Sequence, residues 1–482
     1  MSEHNTGLPT VLEEIVATRR THLPEIRARV AGVEPEPSTR SLFDSLNQGL
    51  GGRRFIMECK SSSPSLGMIR EAYNPGEIAR IYSRYAAGIS VLCEPTRFGG
   101  SYDHLATVAA STHLPVLCKD FIIDVAQVKA ARVYGADAIL LMLSVLSDEE
   151  YHQLSAEAER YGLDVLTEVI DADEVARAIA LGAKIFGCNN RNLHDLSIDR
   201  GRTARLAPLV PAGAVFISES GIRTNEHVKD ITRFVNGFLV GSQLTGEPDV
   251  DRAARELVYG PTKVCGLRTP SAAQAARAAG ATYGGVICES ASPRNVSRET
   301  IEKITAAEPG LTYVAVSRRT ENFSELNNLP EVDVLQVHAP NVTVSEELDL
   351  IARARAEAPD LQIWRAVDMT DPQAHTIIEA LVDQGIVTMF VLDNGDGGTG
   401  KHFDWSSLNL SPEVLSRCLI AGGIEPDNAA AALSTGVAGV DLNSGVEYTA
   451  EVVAGAPELA HHKDPSRIRA ALEAVRTFTP SH

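Results

Sequence analysis

Short apolar runs recur along this chain at intervals of roughly 20 to 35 residues, with Ala-, Glu- and Arg-rich stretches of helical spacing between them. In the first half they read RFIMECK, ISVLCE, PVLCKD, DAILLML, DVLTEV, KIFGCN, VFISES and FLVGS; in the second, KVCGL, YGGVIC, YVAVS, VLQVH, IWRAV, MFVLDN, CLIAGG and GVDLNS. Each series has eight members, and continuously apolar runs suit strands buried on both faces. Eight strand and helix units in about 200 to 250 residues are what a closed (β/α)8 barrel requires. The pattern therefore predicts an α/β chain of two tandem (β/α)8 TIM barrels, which a length of 482 residues accommodates. The seam is expected near Tyr259, Gly260 and Pro261, with barrels over residues 1–258 and 262–482. Within residues 1–48, Leu12, Ile15, Val16 and Leu23 fall on a helical spacing and predict a helical extension to the first barrel.

A repeat supports the duplication. From Gly221 in SESGI to Ser242 in LVGSQ is 21 residues, and from Gly423 in IAGGI to Ser444 in DLNSG is again 21. In such barrels the loops after the seventh and eighth strands hold phosphate on backbone N–H groups, and glycine lets the backbone approach the oxygens. Each half thus reads as equipped for a small phosphorylated molecule.

The balance of 44 Lys plus Arg against 63 Asp plus Glu, a net charge of −19, argues against nucleic acid and anionic membranes as partners. MSEHNTG is polar and leads into no apolar signal core, and the longest apolar run, AILLMLSVL, is too short to span a bilayer, so a cytoplasmic protein is expected, and it is expected to be monomeric. Seven scattered cysteines form no CxxC pair, and no HxH or HExxH cluster sits at a strand end. Neither a metal nor an organic cofactor is implied.

The run LPVLCKDF ends an apolar strand on a lysine, which is costly to bury without a task or a partner. Strand ends in a barrel project into the active-site mouth. Those of the first half supply Glu58 and Lys60, Lys119, Glu168, Asn189 and Arg191, and Glu219 with Ser220. Alternation along a strand places Glu58 and Lys60 on one side. Two lysines and three carboxylates at one mouth suit general acid and base chemistry.

The runs FIMECKSSSPSLGMIR, ISVLCEPTRFGGSYDHL, LPVLCKDFIID, VLTEV, GCNNRNL, ISESGI and GFLVGSQL resemble indole-3-glycerol phosphate synthase over essentially all of residues 1–258. That resemblance implies closure of 1-(2-carboxyphenylamino)-1-deoxyribulose 5-phosphate to indole-3-glycerol phosphate, with loss of carbon dioxide and water. It implies Lys119 as the general acid, Glu168 and Lys60 in later proton transfers, and Glu58, Asn189 and Glu219 as positioning groups. It further implies that Ser63, Ser220, Gly221, Gly241 and Ser242 hold the phosphate and substrate, that Arg191 lines the pocket and that Phe98 forms an apolar wall.

The second half offers Cys265, Arg294, His338 and Asp393 at strand ends. A cysteine base and a carboxyl acid across one pocket suit an isomerase. The runs KVCGL, YGGVI, SPR, QVH, LDNGDGGTGKHFDW, AGGI and DLNSGVE resemble phosphoribosylanthranilate isomerase. By that resemblance Cys265 removes the C2' proton, Asp393 opens the ribose ring, and Arg294 grips the anthranilate carboxylate. Amides around Gly398, Gly400, Gly422, Gly423, Ser444 and Gly445 would bind phosphate, and His338 is assigned no chemistry. The chain departs from the usual pattern at Arg268, Cys288 and Glu289, near the anthranilate pocket. Two other readings stand beside this one: a Schiff-base lyase using Lys119, and a metabolite sensor that keeps only the phosphate cups.

Overall fold

The computed structural model describes residues 10–49, 53–63, 67–191, 197–395 and 402–480. The chain divides into two compact units, one up to Ala254 and one from Arg255, each with its own closed barrel, and the division falls within the helix Val250–Tyr259.

The first barrel comprises β1 (Arg54–Cys59), β2 (Gly88–Leu92), β3 (Val116–Lys119), β4 (Ala138–Met142), β5 (Asp164–Val169), β6 (Ile185–Asn189), β7 (Val215–Glu219) and β8 (Gly237–Val240). Neighbours pair in parallel, and β8 closes on β1 with Arg54 opposite Gly237. The strands are buried almost throughout, which is why their sequences show no polar alternation. Side-chain caps start several of the following helices: Asn74, Ser101, Asp124, Asp171 and Thr224 each accept from a backbone N–H two or three residues on.

The extension reaches both ends of this barrel. Its long helix, Thr10–Arg29, buries Leu12, Ile15 and Val16, and Arg19 forks onto Asp120 just beyond β3, with Nε–Oδ1 at 2.9 Å and Nη2–Oδ2 at 2.5 Å. Tyr102 donates to the same carboxylate at 2.9 Å. The short helix Leu42–Leu46 packs Leu42 and Leu46 into the core, while Ser41 and the Phe43 N–H both reach Asp164 at the start of β5.

The second barrel comprises β9 (Lys263–Val264), β10 (Tyr283–Ile287), β11 (Thr312–Ser317), β12 (Val334–Val337), β13 (Gln362–Asp368), β14 (Val387–Asp393), β15 (Cys418–Ile420) and β16 (Gly439–Leu442). It closes through β9 and β16, with Lys263 opposite Asp441. All sixteen strand runs read from the sequence are strands of these barrels. A two-stranded hairpin, Ser62–Ser63 with Gly67–Met68, was not anticipated; it stands on the loop after β1.

Arg19→Met would leave Asp120 buried without its cation, a loss of about 3 to 5 kcal/mol for a broken buried pair. Urea unfolding of the whole chain measures it, and an unchanged first-barrel transition would show that the fork contributes nothing to stability.

Candidate active sites

At the rim of the first barrel, Glu58 joins the two lysines: Lys60 Nζ lies 2.5 Å from Oε1 and Lys119 Nζ 3.1 Å from Oε2. Lys119 also lies 3.5 Å from Glu219 Oε2. Gly241 makes room for this arrangement, since a Cβ there would stand 2.4 Å from Glu58 Oε1. These residues surround a cavity of about 650 Å³ whose lining includes Glu58, Lys60, Ser63, Phe98, Lys119, Glu168, Asn189, Arg191, Ser220, Gly221, Gly241 and Ser242. Glu219 lies beneath them, 1% exposed, and acts on the cavity through Lys119.

Burial would raise Glu58, but the Lys119 and Lys60 ammonium groups outweigh it and hold the carboxyl down at about 2. Burial would lower Lys119, yet Glu58, Glu219 and Glu168 together raise it, so its ammonium persists through neutral pH. Glu168 and Glu219 move the other way. Burial raises both against the pull of Lys119, and Glu219, facing Glu168 and Glu58 as well, is carried to about 7. Glu168 Oε1 is buried with no hydrogen-bond partner among the described residues. The rim therefore holds a firmly ionised carboxylate, a charged ammonium and two carboxyls raised by burial, Glu219 among them to about 7, a set suited to proton transfer.

Sequence reasoning missed several contributors. Glu94 lines the cavity and accepts from the N–H groups of Thr96, Arg97 and Phe98 at 2.8, 2.7 and 3.2 Å, fixing the turn that carries Phe98. The Phe98 ring stands 5.9 Å from that of Phe121. Val11, Leu12 and Ile15 of the extension complete the apolar wall. A carboxylate directly before a Pro-Thr-Arg turn was the available signal for Glu94.

In the second barrel Cys265 follows β9, its N–H donating to Leu442 O at 2.8 Å, and Asp393 ends β14. Beside Cys265 is Lys263, fully buried, which donates to Asp441 at 2.7 Å and to Gln336 at 2.9 Å. Gly285 accommodates this pair: a Cβ there would meet Cys265 Sγ at 2.8 Å and Lys263 Cε at 2.9 Å. Burial raises Cys265, and the ammonium groups of Lys263 and Lys463 oppose it. Burial also raises Asp393, against the Asn394 N–H and the Lys263 ammonium, which pull it down. His338 Nε2 lies 3.5 Å from Asp393 Oδ2; burial, then Lys263 and Arg365, push it down to about 4, so it is neutral at pH 7. Strand alternation already pairs Lys263 with Cys265, as it pairs Glu58 with Lys60.

Arg294 is held in a two-pronged ion pair with Glu447, Nε–Oε1 at 2.6 Å and Nη2–Oε2 at 3.0 Å. Gly422 and Gly423 take left-handed conformations after β15, and Ser444 and Gly445 form a tight turn after β16. The anticipated phosphate glycines therefore sit at the ends of the last two strands. Gly398 and Gly400 lie outside the described residues.

Residues 12–257 match the indole-3-glycerol phosphate synthase family, and residues 262–450 match N-(5'phosphoribosyl)anthranilate isomerase. The chain is 61% identical over 479 residues to the tryptophan biosynthesis protein TrpCF of Corynebacterium glutamicum, covering 98% of this chain and 99% of that one. It is 46% identical to the protein of that name from Yersinia pestis, over 88% of this chain and 85% of that one, and 44% identical to the one from Salmonella typhi, over 91% and 95%. The chain belongs to the family of bifunctional tryptophan-biosynthesis enzymes in which an indole-3-glycerol phosphate synthase domain precedes a phosphoribosylanthranilate isomerase domain.

Proposed function

We propose that the two half-reactions divide between the rims, with the seam at residues 258–262, and that the second barrel makes the substrate of the first. In the second barrel Cys265 takes the C2' proton of N-(5'-phosphoribosyl)anthranilate while Asp393 protonates the ribose ring oxygen as the ring opens. Arg294 holds the anthranilate carboxylate, and the N–H groups around Gly422, Gly423, Ser444 and Gly445 hold the phosphate. Gly398 and Gly400 complete the phosphate site in this reading. The position of the Lys263 ammonium beside Cys265 supports it, because a thiol must lose its proton to act as a base.

In the first barrel Lys119 polarises the ketone of the deoxyribulose phosphate as the aromatic ring attacks. Carbon dioxide then leaves, and Glu168 and Lys60 move the protons that accompany loss of water. Glu58 and Glu219 keep Lys119 charged and aimed, and Asn189 orients Glu168. Ser63, Ser220, Gly221, Gly241 and Ser242 receive the phosphate, with Arg191 beside it, and Phe98 covers the aromatic ring. The observation that carries this reading is the Lys119 ammonium, 3.1 Å from Glu58 and 3.5 Å from Glu219 at the floor of a cavity large enough for the substrate.

We also read the chain as a cytoplasmic monomer acting on small phosphorylated substrates without nucleic acid, consistent with a net charge of −19. Among the described residues no helix is long and apolar enough to cross a membrane.

Lys119→Ala is expected to lower synthase kcat by at least about a thousandfold, the scale of removing a general acid together with its electrostatic stabilisation, while isomerase kinetics stay unchanged. Cys265→Ala and Asp393→Ala should do the reverse. Separate steady-state assays of each half-reaction decide the matter, and loss of both activities in a folded single variant would refute the division of labour.

The pH profile gives a second check. Glu219 is carried to about 7 and Glu168 is raised with it, so lowering the pH protonates the pair early, and synthase kcat/KM should fall as pH drops through the range where Glu219 takes its proton, about 7. Glu219→Gln removes one negative charge beside Glu168, which then ionises more readily, so the acid limb should move to lower pH. A limb that stays in place would exclude the coupled pair as its origin.

A further inference from the structure

The pairing of Arg294 with Glu447 raises a difficulty. An arginine cancelled by a carboxylate has little field left to attract another carboxylate. The structure supplies a third charge. Lys463, its side chain 1% exposed, places Nζ 2.9 Å from Glu447 Oε1, 2.9 Å from Asn443 Oδ1 and 3.0 Å from Asn443 O. All three of its N–H donors are thereby committed, so Lys463 has none left with which to hold a ligand. It acts through its charge. With Arg294 and Lys463 positive and Glu447 negative, the buried cluster keeps one net positive charge. Burial pulls Glu447 up, but hydrogen bonding to Arg294 and the nearby ammonium of Lys463 outweigh it and keep the carboxylate ionised. His461 Nδ1 stands 3.6 Å from Glu447 Oε2 at the solvent side.

The cluster also has a fixed place. A Cβ on Gly266, which has φ +71°, would meet Asn443 Oδ1 at 2.9 Å, Arg294 Cδ at 3.1 Å and Lys463 Nζ at 3.3 Å. Gly266 is the residue after Cys265, so the cluster packs directly against the backbone that carries the thiol. The Nη1 edge of Arg294, opposite the Glu447 fork, has no protein acceptor among the described residues.

We propose that Glu447 and Lys463 are positioning residues of the isomerase: Glu447 aims the Arg294 fork, and Lys463 leaves the cluster the single positive charge that receives the substrate's anthranilate carboxylate. This rests on the reading of Arg294 as the carboxylate-binding group. A purely structural tie between the segments bearing Glu447 and Lys463, which also form an antiparallel bridge, would use the same contacts. The charge count separates the two explanations.

The test is steady-state isomerase kinetics on the full chain with N-(5'-phosphoribosyl)anthranilate, for Arg294→Met, Lys463→Met, Glu447→Gln/Lys463→Met and the parent. Lys463→Met brings the cluster to zero charge, and KM should rise about tenfold with a smaller change in kcat. The double variant restores one positive charge on Arg294 and, because Glu447→Gln keeps an amide oxygen for the fork to donate to, keeps most of its aim, so KM should return to within about threefold of the parent, a rescue that a structural tie does not produce. Unchanged KM in Lys463→Met, or a double variant no better than the single one, overturns the proposal when Arg294→Met still raises KM. If Arg294→Met leaves KM unchanged, the reading of Arg294 itself fails and takes the proposal with it. Should Lys463→Met not fold, as read by circular dichroism, Lys463→Gln replaces it, since it drops the charge and keeps a donor toward Asn443.

Discussion

Closure of a parallel sheet is the constraint on which everything else in this chain depends. When eight parallel strands close on themselves, every strand ends on the same rim, and the sheet has no free edge. Residues far apart in sequence, such as Glu58, Lys119 and Glu219, are thereby brought to one mouth without any further folding instruction. The requirement is met twice, and each barrel then needs only short polar caps and tight turns to start the helices that cover it.

The two rims solve a shared electrostatic problem differently. In the first barrel the charges gather at the cavity: two lysines stand with Glu58 and Glu168 in its lining and Glu219 beneath, and the lysines keep Glu58 ionised while burial raises Glu168 and Glu219. In the second, the cations are buried and tied to protein partners. Lys263 is fully buried with Asp441 and Gln336 as partners, and Lys463 is locked to Asn443 and Glu447. A ring closure with decarboxylation and dehydration needs several proton transfers at the surface of the substrate. An isomerisation needs one base and one acid, with the remaining charge serving to tune and orient them.

The strands were legible because burial on both faces leaves each of the sixteen runs mostly apolar, without a polar residue at every second position. The first rim was legible for a related reason: a charged residue ending an apolar run, as in LPVLCKDF, has few structural excuses. What the sequence concealed were partners joined only by tertiary contact. Arg19 lies about a hundred positions from Asp120, and nothing in either neighbourhood names the other. Glu447 ends the DLNSGVE run and Lys463 lies sixteen residues on, but nothing in the sequence joins either to Arg294. The hairpin after β1 has two residues in each strand, too few for any periodicity to show.

The extension illustrates how closure and chemistry are coupled. A barrel mouth is open by construction, and an aromatic substrate needs apolar cover that eight strand ends cannot supply while they also carry charge. Here the cover comes from outside the barrel: Leu12 and Ile15 lie on the helix whose Arg19 is anchored to Asp120, the residue after Lys119. The helix that makes the wall is thus fixed to the end of the strand that carries Lys119. Glu94 does the equivalent for Phe98, fastening it through three backbone N–H groups at the end of the neighbouring strand. Both anchors use a buried carboxylate to set an apolar group, so the charge that the barrel interior tolerates least is placed where it fixes the geometry of the wall against which the reaction runs.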